Sequence, residues 1–215
     1  MSPPIRRHRL RLRDPLRYER DHWERGILHV AGLDEVGRGP LAGPVVAAAV
    51  VLPPETYVRE ARDSKAVAPR ARPEVAAAVR EAALAWSLGA ASAREIDALG
   101  IVPATVRALR RALAHLEVEP GHVVLDGRPV RGLGREHHAV VKGDYRVHCV
   151  ACASILAKVC RDTLMERLDP RYPHYGWGRN KGYGTAEHLG ALERVGPSPH
   201  HRMSFGGVLP APVDA

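Results

Sequence analysis

Large rings are scarce in this chain of 215 residues: aromatics make up 5%, with a single phenylalanine, Phe205. That excludes a core built on stacked aromatics and leaves Ala, Val and Leu to fill it by close packing. Cysteine is equally sparse. Cys149, Cys152 and Cys160 are odd in number and confined to a dozen positions, which excludes a secreted disulfide framework. The Cys149-x-x-Cys152 pair lies in an Ala-rich helical run and reads as small buried thiols rather than a zinc site. No apolar run approaches the roughly 18 residues of a membrane span, and the first residues lack the apolar centre of a secretion signal. A cytoplasmic protein with no membrane association is expected.

Acidic residues are outnumbered. Lys and Arg total 32 against 24 Asp and Glu, a net charge of +8, and such a surface favours anionic partners. Five arginines fall within the first 13 residues, as in a solvated arm that attracts phosphate.

Short apolar runs bounded by Gly or Pro mark strands at 27–34 and 44–52. Only a Gly-rich turn separates them, so they should pair antiparallel. Further strands are expected at 86–90, 122–126 and 139–142. Helices are expected at 15–23, 73–85, 103–117, 150–168 and 185–195, the last capped by Thr185 and stopped by Gly196. Ser92-Ala-Arg-Glu95 has the form of a capping box opening a short helix that ends at Gly100. Strands followed by alternation with helices specify an α/β protein with a mixed sheet covered by helices. The segment Gly37-Arg-Gly-Pro-Leu-Ala-Gly43 has the spacing of neither common phosphate loop and precedes a strand rather than a helix, so it is not a nucleotide cradle. The histidines, including His137-His138 and His200-His201, show no metal-ligand spacing and are expected at the surface or beside nucleic acid.

The carboxylates are more informative. Asp34, Asp126 and Asp144 each fall where an apolar strand meets a turn, and Glu35 is adjacent to the first. Clustered acids repel unless a hard divalent cation neutralises them, which points to Mg²⁺ or Mn²⁺. An acidic metal pocket in a basic protein describes a phosphodiester enzyme. On a regular strand Asp34 and Glu35 point to opposite faces, so a shared ion requires a bend or the longer arm of Glu35.

The segments GLDEVGRGPLAGPVVAAAVVL, DSK at 63–65, LDG at 125–127, VVKGD at 140–144, ASILAKVCRD at 153–162, KGYGT at 181–185 and HHRMSF at 200–205 resemble the bacterial ribonuclease HII family. The resemblance implies an RNase H-like fold with a mixed five-stranded sheet flanked by helices. It also implies an endonuclease that cuts RNA in RNA–DNA hybrids and at single ribonucleotides within duplex DNA, 5′ to the ribonucleotide, by two-metal hydrolysis leaving 3′-hydroxyl and 5′-phosphate ends. The catalytic and metal-holding acids fall on Asp34, Glu35, Asp126 and Asp144. Asp162, in a matching segment within a helix, ranks below Asp144. Gly37, Arg38 and Gly39 are implied to sense the ribose 2′-hydroxyl, Tyr183 to pack on the neighbouring deoxyribose, and Ser64 and Lys65 to hold a backbone phosphate. Side-chain-free Gly37 and Gly39 would let the backbone approach the sugar.

Departures from the family pattern are Ala66 and Val67 after DSK, Met203 where a second Arg is usual, and Cys152 in place of a small alanine. The expected organisation is a basic, mobile arm at 1–15, a catalytic domain at 16–206 and a C-terminal tail at 207–215, acting as a monomer. Alternatives are a ribonuclease HIII-type enzyme, for which the segment before the first strand is short, and a non-catalytic hybrid-binding protein.

Overall fold

A computed structural model describes residues 14–61 and 67–208. Most of the basic arm and the C-terminal tail, and Ser64 and Lys65, lie outside the described residues. The strands are β1 (Val30–Val36), β2 (Val45–Val51), β3 (Ala85–Ala91), β4 (His122–Asp126) and β5 (His138–Val140). They form one sheet in the order β3-β2-β1-β4-β5. The β1–β2 and β2–β3 pairs are antiparallel, whereas β1–β4 and β4–β5 are parallel. The expected mixed five-stranded sheet is thus present.

Helices cover both faces. They are α1 (Arg17–Trp23), α2 (Arg72–Ala82), α3 (Ala93–Leu99), α4 (Ile101–Ala114), α5 (Gly143–Arg146), α6 (His148–Leu168), α7 (Trp177–Asn180) and α8 (Ala186–Val195). Alternate residues of a strand face opposite ways, and the packing follows that parity. Leu33, Val45, Ala47 and Ala49 meet Ala104, Ala108 and Leu109 of α4, while Ala48 and Val50 meet Val79 of α2 and Ile155 of α6. Every residue of β2 is consequently buried. Alanine on both partners lets helix and sheet approach closely, which is how a ring-poor sequence fills its interior. The extreme case is Gly32, where an added Cβ would stand 2.2 Å from the backbone carbon of Cys149 in α6.

Local signals fix several ends. Ser92 and Glu95 form the reciprocal capping box, and the Thr185 hydroxyl accepts from the His188 N–H at 3.3 Å. Strand boundaries other than those of β4 differ from the sequence expectation by one to three residues, and two of the differences bear on the acids. β1 does not end at Asp34 but continues to Val36, because Asp34, Glu35 and Val36 pair with Ala48, Ala47 and Val46; a backbone ladder is indifferent to side-chain polarity. β5 stops at Val140 because Lys142 turns left-handed at φ 58°, starting the single turn of α5 that carries Asp144. Among the described residues no helix is long and apolar enough to cross a membrane.

Candidate active site

Parallel pairing of β1 with β4 ends at Leu33 opposite Leu125. Asp34 and Asp126 are the next residues on each strand, and both share the parity of the face that carries α6. The carboxyl ends of adjacent parallel strands are where an α/β sheet presents its ligand site. Asp34 is buried at 8% exposure. Its Oδ1 accepts from the Glu35 N–H at 2.8 Å, and the Ser154 side chain of α6 also hydrogen-bonds it. Burial, reinforced by the charges of Glu35 and Asp126, pushes its carboxyl up to about 8. Burial also raises Glu35, against the stabilising guanidinium of Arg38 at 3.3 Å and with the repulsion of Asp126. Glu35 therefore feels Asp126 despite its opposite parity, as its longer arm allows.

Asp144 joins through the backbone. The Gly143 N–H donates to Asp126 Oδ1 at 2.6 Å, placing the one-turn helix α5, with Asp144 buried at 9% exposure, against the end of β4. Asp162 is engaged elsewhere, paired with Lys158 at 2.9 Å and Arg72 at 4.0 Å. The cysteines of the CxxC pair are buried in α6, and burial pushes the Cys149 thiol up, as suits packing rather than ligation.

Burial first, and repulsion after it, raise Asp34 and Glu35; a hard cation would relieve both, and an all-oxygen donor set suits one. Among the described residues no three His, Cys, Asp or Glu side chains are already drawn into a metal cage. That is compatible with Mg²⁺-type sites, which combine one or two carboxylates with water and substrate phosphate.

The turn after β1 carries Gly37, Arg38 and Gly39. Its conformation depends on two buried guanidinium groups that the sequence reading did not single out. Arg202, 0% exposed, donates to the carbonyls of Gly37, Arg38 and Gly43. Arg161, also 0% exposed, donates to those of Ala42, Pro44 and Lys181 at 2.9–3.0 Å. Burial, and then the charge of Arg161, lowers Arg202 to about 9. The signal available in the sequence was a charge inside an apolar helical stretch for Arg161 and little for Arg202.

The two glycines of the turn are not equivalent. Gly37 is buried at φ +92°, and a Cβ there would stand 2.1 Å from Arg161 Nε. Arg161 excludes any side chain at this position from within. Gly39 is exposed, and the nearest neighbour of an added Cβ is the Tyr183 ring at 3.8 Å. The Leu41 N–H donates to the Gly182 carbonyl at 2.8 Å, so the Gly-Arg-Gly turn and the Lys-Gly-Tyr loop form one surface. Tyr183 is 45% exposed there.

The histidine expectation fails in part. His148, His188 and His201 are buried at 5%, 0% and 1% exposure, where the Val58 N–H donates to His148, the Tyr183 carbonyl lies against His188 and the Ser198 N–H donates to His201. A groove of about 680 Å³ on α4, lined by Val102, Val106, Arg107 and Arg110 among others, contains no acid and lies apart from this chemistry.

A helix-flanked mixed sheet with acids at the carboxyl ends of its central parallel strands defines the class of RNase H-like nucleases. Sequence comparison narrows it: the family model for ribonuclease HII matches residues 31–208. The chain is 53% identical over 195 residues to ribonuclease HII of Synechococcus sp. (strain JA-3-3Ab), covering 88% of this chain and 87% of that protein. It is 48% identical over 188 residues to that of Moorella thermoacetica, covering 85% and 91%. The crystal structure of ribonuclease H2 from Pyrococcus horikoshii OT3 matches with a TM-score of 0.75 at 26% identity, over 84% of this chain and 95% of that one. The chain belongs to the ribonuclease HII family, metal-dependent endoribonucleases that act on RNA in RNA–DNA hybrids.

Proposed function

We propose that this enzyme hydrolyses the phosphodiester 5′ to ribonucleotides, in hybrids and singly embedded in duplex DNA, with Asp34, Glu35, Asp126 and Asp144 holding Mg²⁺ or Mn²⁺ at the scissile phosphate. The observation that carries this reading is the placement of Asp34 and Asp126 side by side at the carboxyl ends of the parallel strands β1 and β4, with the turn that bears Asp144 bonded to Asp126 through the Gly143 N–H. Divalent cations bound there would supply Lewis-acid polarisation of water and phosphoryl oxygen, leaving 3′-hydroxyl and 5′-phosphate ends.

The chain's own residues orient the substrate. With the carbonyls of the Gly-Arg-Gly turn occupied by Arg202, the exposed edge at Arg38 and Gly39 faces the ribose and feels its 2′-hydroxyl. Tyr183, beside Gly39, packs on the sugar across the RNA–DNA junction, where a second hydroxyl would crowd the ring. Arg38 is held by Glu35 in the free protein and is available to a phosphate on exchange. Ser64 and Lys65 hold a further backbone phosphate. The domain at 16–206 carries this chemistry as a cytoplasmic monomer, and the basic arm at 1–15 adds phosphate attraction.

Asp34→Asn, Asp126→Asn and Asp144→Asn, assayed on a uniform hybrid in Mg²⁺ and separately in Mn²⁺, should each lose cleavage by at least about a hundredfold while retaining hybrid binding, which Lys and Arg contacts to phosphate dominate. Undiminished turnover in any one removes that carboxylate from the site.

A further inference from the structure

We infer that His188, oriented by His201, is a positioning residue for Tyr183 and thereby sets how well the enzyme distinguishes a single embedded ribonucleotide from a continuous hybrid. The inference rests on the proposed contact between Tyr183 and the junction sugar.

The tautomers of this buried pair are dictated from both ends. At one end the Ser198 N–H donates to His201 Nδ1 at 2.9 Å, so that nitrogen is an acceptor and the His201 proton sits on Nε2. At the other end His188 Nδ1 lies 2.9 Å from the Tyr183 carbonyl. A carbonyl only accepts, so the His188 proton sits on Nδ1. Between them the two Nε2 atoms are 2.9 Å apart, and His188 Nε2 also accepts from the Trp177 indole N–H at 3.2 Å. A backbone amide, an indole and a carbonyl, none of which can reverse its role, therefore specify the same direction of donation along the chain of bonds. Tyr175, stacked on Trp177 at 5.1 Å and edge-on to His201 at 4.6 Å, closes the cage.

The Tyr183 carbonyl accepts from His188 and from the Thr185 N–H at 2.8 Å, while the Tyr183 N–H donates to the Asn180 carbonyl at 3.0 Å. The peptide groups flanking the ring are thus tied to the interior while the ring stands half-exposed next to Gly39. Loss of the His188 bond leaves the carbonyl on the Thr185 N–H alone and lets the ring shift against the turn that faces the ribose.

The test uses two replacements that divide the functions of His188. His188→Asn retains a donor near the Nδ1 position, towards Tyr183; His188→Gln retains a polar group near Nε2, towards Trp177 and His201, and cannot reach the carbonyl. The quantity measured is kcat/KM on a duplex with one ribonucleotide divided by that on a uniform RNA–DNA hybrid, with melting temperature recorded for each variant. The ratio should fall about tenfold in H188Q, the worth of one lost hydrogen bond, and remain within about twofold of the parent in H188N. Equal shifts in the two variants, or none in H188Q while Tyr183→Ala lowers the ratio, would overturn the positioning role. An unchanged ratio in Tyr183→Ala overturns the sugar contact itself, and the inference with it. Nitrogen NMR of the unmodified protein gives a check that needs no variant: His188 should carry its proton on Nδ1 and His201 on Nε2, and the opposite tautomers would contradict the scheme.

Discussion

Replacing the most strained acid should make the metal-free enzyme more stable as it makes it inactive. Asp34 is the candidate. Its carboxyl is pushed from an ordinary 3.8 to about 8, so near neutrality the folded protein holds a proton that the unfolded chain has released. Each pH unit between those values is worth about 1.36 kcal/mol, so from 3.8 to neutrality the group costs the fold roughly 4 kcal/mol. The sign follows from the raised value. The contribution of Asp34 is fully present below pH 3.8 and is lost as pH rises through about 8. Asparagine retains an oxygen for the Glu35 N–H, which donates to Asp34 at 2.8 Å, and carries no charge. Allowing for the burial of its amide, Asp34→Asn should gain about 2–4 kcal/mol, or about 5–15 °C in melting temperature for a chain of this size. The assay is thermal unfolding followed by circular dichroism in EDTA between about pH 5 and pH 9. The gap between variant and parent should be small at the acid end, widen towards pH 8 and then level off, while added Mg²⁺ should raise the parent and leave the variant unmoved. A gap that is absent, reversed or constant with pH would refute the electrostatic account of the site.

The two glycines of the turn should separate. Gly37→Ala places a Cβ 2.1 Å from Arg161 Nε at a φ of +92° and should destabilise by about 3 kcal/mol or more. Gly39→Ala should leave the melting temperature within about 1–2 °C of the parent yet cut hybrid cleavage at least about tenfold; full activity in Gly39→Ala would remove the close sugar approach. Arg202→Met orphans the carbonyls of Gly37, Arg38 and Gly43. After relief of a buried charge it should cost about 3 kcal/mol, with Arg202→Lys intermediate because an ammonium lacks the planar fork. Denaturant unfolding measures this directly, and a methionine variant as stable as the parent would mean the turn holds its shape without the guanidinium.

Much of the fold was legible because its signals are local. Short apolar runs bounded by Gly or Pro marked the strands, Ser92 with Glu95 and Thr185 marked helix starts where side chains satisfy orphan backbone groups, and Gly196 marked a helix end. The acids were legible as charges placed where apolar strands meet turns, although β1 runs on through Asp34 and Glu35 because ladder pairing with Ala48 and Ala47 continues beneath them. What escaped was non-local. Arg161 and Arg202 are buried by carbonyls that loops deliver from far away in the chain, with a sequence separation of 159 between Arg202 and Gly43, and His188 and His201 are buried by each other and by the loops on either side of α8. Composition assigns such residues to the surface, and no spacing rule reveals the loops that enclose them. The role of Gly37 was obscured for the same reason, since its neighbour Arg161 arrives from α6.

Cleavage of a duplex containing one ribonucleotide, with both new ends mapped to the nucleotide and identified chemically, tests the central claim most directly. The four-carboxylate site should give a single nick on the 5′ side of the ribonucleotide, with 3′-hydroxyl and 5′-phosphate ends, only when Mg²⁺ or Mn²⁺ is present. A nick on the 3′ side, a 2′,3′-cyclic phosphate, or cleavage that persists in EDTA would contradict it.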